Sequence, residues 1–281
     1  MSTNSFVEFP VSAAIEHKQL PLPSAAIHYF VAGRGNPEAI LFLHPAFADH
    51  RCFYRQIDTF AASYCVITLD MAGHGLSQAG KSGVKLDATS EHVRQILLAE
   101  GYDRTHLVGV SLGGLMAQYC AVQHPAMAQS LAALGAYDIN RVNPEIAKAQ
   151  RSEMVKWMLK AMVSMDAFRS SLAEGTVIHA EEQARFRAMA AAFTRRSFLA
   201  MGGMQGVIQQ RGPVLRGIPL LILVGDHDLP LAQRAAQKWH VDEPTSQLAV
   251  ISNAGHCANM DHSAEFNHVL MRVIKVAAPC P

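Results

Sequence analysis

The chain has 281 residues, 50% of them hydrophobic and 17% charged, with a formal net charge of +1. This is globular composition, which excludes a disordered chain, and without blocks of like charge nothing attracts nucleic acid or an anionic membrane. The length allows a large core in one α/β domain with an inserted subdomain.

The first ten residues lack a basic stretch followed by an apolar one, so no secretory leader is expected. Apolar runs such as 219–224 are strand-length and too short to span a membrane. The five cysteines are odd in number and lack CxxC spacing, which argues against a disulfide framework or a zinc site. A reducing, cytoplasmic setting is expected.

Strand-like and helix-like stretches then alternate. Residues 25–32 and 39–44 read as strands, the second a continuous apolar run suited to a sheet covered on both faces. Residues 51–62 read as a helix and 65–70 as a strand. Ser90 is expected to cap a helix on which Val93 and Leu97 share a face and which Gly101 ends. A strand over 105–110 runs into a helix over 111–124, stopped by Pro125. Strands at 130–136, 219–225 and 246–252 and a helix at 261–276 complete the pattern. This order predicts a mainly parallel sheet with helices on both faces. It fails over 137–212, which is helix-like throughout. The expected organisation is a core of 1–136 and 213–281 with a helical cap of 137–212. In that cap Met154, Met158, Met162 and Met165 fall on one helical face, either filling an irregular core or covering an apolar substrate.

Gly109-Val110-Ser111-Leu112-Gly113 stands at the strand–helix junction and fits the pattern G-x-S-x-G. A serine displayed on so sharp a turn needs tiny neighbours two positions away, and Gly109 and Gly113 meet that need. Its hydroxyl is a poor nucleophile until a base takes the proton and a carboxylate orients the base. After the strand at 219–225 stand Asp226 and Asp228; Asp228 lies far enough beyond Gly225 to bend back and is the preferred acid. Asp138 is a third option, with capping of the helical segment as its expected role. Of the 14 histidines, His256 in Asn253-Ala254-Gly255-His256 alone combines chain order, position after the last strand and an open loop. His262 and His268 read as positions on the final helix, and His227 as a loop residue.

The Ser111 elbow, Gly225-Asp226-His227-Asp228-Leu229-Pro230 and the His256 loop together resemble the α/β-hydrolase superfamily, from about residue 25 to 276. Asp70-Met71-Ala72-Gly73-His74-Gly75-Leu76-Ser77 resembles that family's D-x-x-G-x-G-x-S turn, which is usually structural; Asp70 is therefore not the expected acid, and His74 is expected to pack. The resemblance implies an α/β fold with a mostly parallel eight-stranded sheet, flanking helices and an inserted helical cap. It also implies an oxyanion hole built from two backbone amides. One belongs to Leu112, at a helix start where the dipole favours negative charge, and the other to Ala46 in His44-Pro45-Ala46-Phe47. Pro45 replaces the family's glycine and has no N–H to donate. Phe47, Met154 and Met158 are the candidate substrate contacts.

The implied activity is serine hydrolysis of an apolar carboxylic ester or lactone, a small molecule, with neither cofactor nor metal. Serine at position 111 sets aside relatives with an aspartate nucleophile. Leu112 stands where cofactor-free dioxygenases of this fold often carry histidine. Carbon–carbon bond hydrolysis, acyl transfer and a non-catalytic ligand receptor are the alternatives, because each can keep the same three residues.

Overall fold

A strand covered on both faces has no polar side, and the apolar runs of this chain accordingly become the middle of a sheet. The computed structural model describes residues 9–23, 25–78, 83–212 and 217–277. Its strands are β1 (Ile15–Leu22), β2 (Ala25–Ala32), β3 (Ala39–Leu43), β4 (Cys65–Leu69), β5 (Thr105–Val110), β6 (Ala128–Leu134), β7 (Leu220–Gly225) and β8 (Gln247–Ile251). They form one eight-stranded sheet in the order β1-β2-β4-β3-β5-β6-β7-β8. β2 runs antiparallel to β1 and β4, and the remaining pairs are parallel. Every residue of β3, β4, β5 and β7 is buried.

The helices are α1 (Tyr54–Phe60), α2 (Thr89–Glu100), α3 (Leu112–Gln123), α4 (Pro144–Val163), α5 (Met165–Thr176), α6 (Ala180–Ala190), α7 (Met204–Val207), α8 (Pro230–Asp242), α9 (Ala258–Asp261) and α10 (Ser263–Ala277). Successive strand residues face opposite layers. Leu41 and Leu43 pack with Val93, Ile96, Met116 and Trp239 of α2, α3 and α8. Ile40 and Phe42 pack with Ile57, Phe60, Phe266 and Leu270 of α1 and α10.

Several local expectations change. β1 was not expected, because Ile-Glu-His-Lys-Gln-Leu-Pro-Leu contains no apolar run. It is an edge strand, held by partners rather than by burial. Lys18 Nζ donates to Glu100 Oε1 at 2.7 Å, and the Tyr29 hydroxyl of β2 donates to the same oxygen at 2.8 Å. Ser90 is no cap: a 3-10 turn, Leu86–Ala88, precedes α2, and Ala88 at the N-cap supplies no side-chain bond. The helix expected at 51–62 opens with a 3-10 turn, His50–Phe53, capped by Asp49 accepting from the Arg51 amide. The last helix is divided into α9 and α10. Gly101 does end α2, at φ 84°.

Between β6 and β7 the described residues contain helices and turns but no strand. Asn143 Oδ1 accepts from the Glu145 and Ile146 amides to start α4, and Ser164 Oγ accepts from the Ala167 amide to start α5. Phe168, Leu172, Phe186 and Phe193 of this segment are buried against the α1–α10 side of the sheet. Cys52, Cys65, Cys120 and Cys257 are buried free thiols, and Cys280 lies outside the described residues. Among the described residues no helix is long and apolar enough to cross a membrane.

The Glu100 carboxylate, only 1% exposed, ties β1 and β2 to the end of α2. Glu100→Ala should destabilise the protein by about 1–3 kcal/mol, the range for stranding buried polar partners. Urea unfolding measures that loss, and hydrogen exchange should show β1 amides losing protection before those of β5.

Candidate active site

Parallel strands deliver the loops at their carboxyl ends to one edge of a sheet. Here the 44–47 loop follows β3, Ser111 follows β5, Asp228 follows β7 and His256 follows β8. Ser111 sits at φ 53°, ψ −116°, a conformation that costs an L-residue energy and persists only when its surroundings impose it. Its N–H donates to Leu134 O at 2.7 Å and its carbonyl accepts from the Gly114 amide at 2.9 Å. A Cβ on Gly109 would collide with the Gly113 carbonyl, and one on Gly113 with the Leu43 carbonyl. The two glycines are therefore required by backbone contact on both sides of the turn.

His256 Nδ1 donates to both carboxylate oxygens of Asp228, at 3.0 and 2.9 Å. That leaves Nε2 as the proton acceptor. The Asp228 side chain is fully buried, while His256 keeps 24% of its exposure. Burial lowers the imidazole pKa, but the Asp228 charge and hydrogen bond outweigh burial and leave it above the ordinary value. The ring lies against Gly135, where a Cβ would stand 2.8 Å from Cε1. Gly135 directly follows Leu134, whose carbonyl binds the Ser111 amide. Serine and histidine thus adjoin consecutive residues at the end of β6.

The two other candidate acids have different work. Asp226 accepts from the Asn253 and Ala254 amides at 2.9 and 3.0 Å and from His227 Nδ1 at 2.7 Å. It pins the start of the histidine loop. Asp138 accepts from the Asn140 amide and side chain and lies 3.5 Å from Arg141, at the start of the helical segment. Sequence reasoning missed Asp261, which accepts from Gly255, Ile178 and His179 amides and so fastens the loop to the α5–α6 junction.

The close packing of Gly113 on the Leu43 and His44 carbonyls sets the start of α3 beside the 44–47 loop. Leu112 is the first residue of α3, and its N–H has no partner within the helix. His44 Nε2 accepts from the Met71 amide at 2.9 Å, so Nδ1 carries the hydrogen and donates to Pro45 O at 2.8 Å. Burial, foremost, lowers the His44 pKa and keeps the ring neutral. This fixes the loop around Pro45, so Ala46 lies on a segment adjoining Leu112.

Phe47 follows at φ 69°, buried. Its ring meets Trp157, Phe168 and Phe193 edge-on, with centroids 5.2, 5.4 and 4.9 Å away. All three come from the helical segment, so an apolar aromatic cluster joins that segment to the 44–47 loop. His74 packs beside it, 5.1 Å from Phe193, with burial pushing its pKa down to about 3. The methionine expectation needs correction. Met154 is half-buried, Met158 and Met162 are 46% and 69% exposed and face solvent, and Met165 lies on α5 instead, packed against the core. Periodicity tells which residues share a face, not which way the face points; Ile146, Trp157 and Ala161 form the inner one.

Among the described residues, Asp49, His50 and Asp70 bring one potential metal-ligand atom each within 4.8 Å of one another. These atoms are already engaged. Asp70 Oδ1 accepts from His50 Nδ1 at 2.8 Å, its Oδ2 accepts from the Leu76 amide, and Asp49 is bidentate to Arg51. The group braces the 70–77 turn.

A model of the alpha/beta hydrolase family matches residues 40–269. The chain is 25% identical over 245 residues to the dihydrolipoyllysine-residue acetyltransferase component of the acetoin cleaving system of Cupriavidus necator, covering 85% of this chain but only 64% of that one. It is also 25% identical over 271 residues to a 2-hydroxy-6-oxononadienedioate/2-hydroxy-6-oxononatrienedioate hydrolase of Pseudomonas sp, covering 89% and 92%. A solved thermophilic esterase from Thermogutta terrifontis superposes with a TM-score of 0.79 at 17% identity, covering 94% of this chain and 100% of that one. With the family model spanning the sheet from β3 into α10, the chain belongs to the alpha/beta hydrolase family.

Proposed function

We propose that this protein is a cofactor-independent serine hydrolase that cleaves an apolar carboxylic ester or lactone. Ser111 is the nucleophile, His256 the general base and Asp228 the acid that orients it. The observation behind this reading is the His256–Asp228 pair brought to the same strand end as a serine held at positive φ.

Ser111 Oγ attacks the carbonyl carbon and passes its proton to His256 Nε2. Negative charge gathers on the carbonyl oxygen, facing the Leu112 and Ala46 amides. Collapse of this adduct breaks the ester bond, and His256 returns the proton to the leaving oxygen. In a lactone that alcohol stays attached to the acyl chain. Water, deprotonated by His256, then releases the carboxylate and restores Ser111. Residues 137–212 act as the cap, and the cluster around Phe47 and Trp157 receives the acyl chain; its aromatic walls favour an uncharged group. Four buried free thiols fit a cytoplasmic, reducing setting. The hydrolase named for the Pseudomonas relative favours a second reading, carbon–carbon bond cleavage with the same three residues.

An assay across p-nitrophenyl esters of rising chain length, lactones and a vinylogous diketone tests the proposal. Turnover of esters or lactones is expected; turnover of the diketone alone assigns the second reading. Ser111→Ala should lower kcat by about 10⁶ with the fold intact. Near-native activity in that variant removes the nucleophile assignment.

Asp228→Asn should lower kcat by about 10⁴, whereas Asp226→Asn should mainly lower the unfolding midpoint by loosening the 253–254 loop. The Asp228 carboxylate stabilises the imidazolium, so removing it lowers the His256 pKa. The acid limb of the residual kcat/KM profile should therefore move to lower pH in Asp228→Asn. A limb that stays or rises contradicts the pairing.

A further inference from the structure

Helix α4 has a second apolar face, and it points to solvent. Val155, Met158, Leu159, Met162 and Val163 are 56%, 46%, 58%, 69% and 88% exposed. Their spacing makes one continuous stripe along the helix. An isolated exposed apolar residue needs no explanation, but a stripe of this kind marks a surface that something covers.

Cations border it. Lys148 and Arg151 precede Val155 by seven and four residues and so lie on the same side, while Lys156 and Lys160 run along one edge. The helix's two carboxylates are engaged, Glu145 with Arg234 at 3.2 Å and Glu153 with Lys156 at 2.7 Å. Lys160 donates to Ser171 Oγ, and among the described residues neither it nor Lys148 nor Arg151 has an ion-pair partner. Arg195 donates to the Ala161 and Met162 carbonyls, which brings a turn bearing Leu199, 76% exposed, to the same end of α4.

We propose that this face of α4 docks the protein on an anionic lipid surface. The stripe enters the headgroup boundary and the bordering cations meet the lipid phosphates. Charge complementarity favours lipid over a second copy of the chain. A two-fold antiparallel pairing of α4 would set the Lys156–Lys160 edge against itself. Attachment is peripheral, since no helix among the described residues can span a bilayer. Net charge pointed away from membranes; the local arrangement points toward one. The docking does not depend on the catalytic reading, although it would turn the segment that carries the aromatic cluster toward an apolar substrate reservoir.

Co-sedimentation of the full chain with phosphatidylglycerol and phosphatidylcholine vesicles at low salt tests the proposal. Partitioning onto the anionic vesicles should be stronger by about tenfold or more. The pair Leu159→Gln and Met162→Gln should weaken it by about tenfold, with an unchanged circular dichroism spectrum. Lys148→Glu with Lys160→Glu should erase the preference for anionic lipid. Failure of the native chain to bind phosphatidylglycerol, equal binding to both vesicles, or undiminished binding by the variants overturns the proposal. So does a dimer in sedimentation equilibrium that Leu159→Gln and Met162→Gln dissociate without any vesicle binding, which would assign the face to a second copy.

Discussion

Between Gly109 and Gly113 there is no room for a side chain, and the carboxyl edge of the sheet is arranged around that contact. It lets α3 descend onto β5 and, through Gly113, onto the Leu43 and His44 carbonyls of the neighbouring strand end. The same approach forces Ser111 into positive φ and places the first amides of α3 beside the 44–47 loop. The strain is held by the surrounding sheet: the Ser111 amide bonds Leu134 O on β6, and β5 is buried along its whole length. A looser turn would displace the hydroxyl, the helix dipole and the amides together.

Histidine is positioned by a different means. Its loop buries Ala254 and Cys257 in the core, and its backbone amides are held by carboxylates, Asp226 after β7 and Asp261 from α9. Because Asp261 also binds Ile178 and His179, the helical segment and the histidine loop share one anchor. Movement of that segment would therefore be felt at His256. The segment also supplies the aromatic rings around Phe47, so it contributes to both the geometry and the polarity of the site.

What the sequence revealed follows from how local each cause is. The elbow was legible because glycines two positions from a serine have a steric reason that acts within five residues. Asp228 and His256 were legible from chain order and from their place after apolar strands, and Asp228 rather than Asp226 does meet the imidazole. β1 was not, since an edge strand needs no apolar pattern and is held by Lys18 on a distant Glu100. Nor was the aromatic cluster, whose Trp157 on α4, Phe168 on α5 and Phe193 in the turn after α6 lie far apart in the chain and meet only after folding. Of the four methionines expected on one helical face, Met154, Met158 and Met162 share a face of α4, whereas Ser164 breaks the helix and Met165 begins α5; which face turns inward is decided by tertiary packing. Net charge likewise averaged away the cations beside an exposed stripe.

The central claim is that Ser111 is activated by His256, and covalent labelling tests it most directly. Intact-mass analysis after reaction with a fluorophosphonate should show one adduct per chain, mapped by peptide fragmentation to Ser111. Its rate of formation should fall as His256 protonates. No adduct on the folded protein, or an adduct on another residue, would contradict the account.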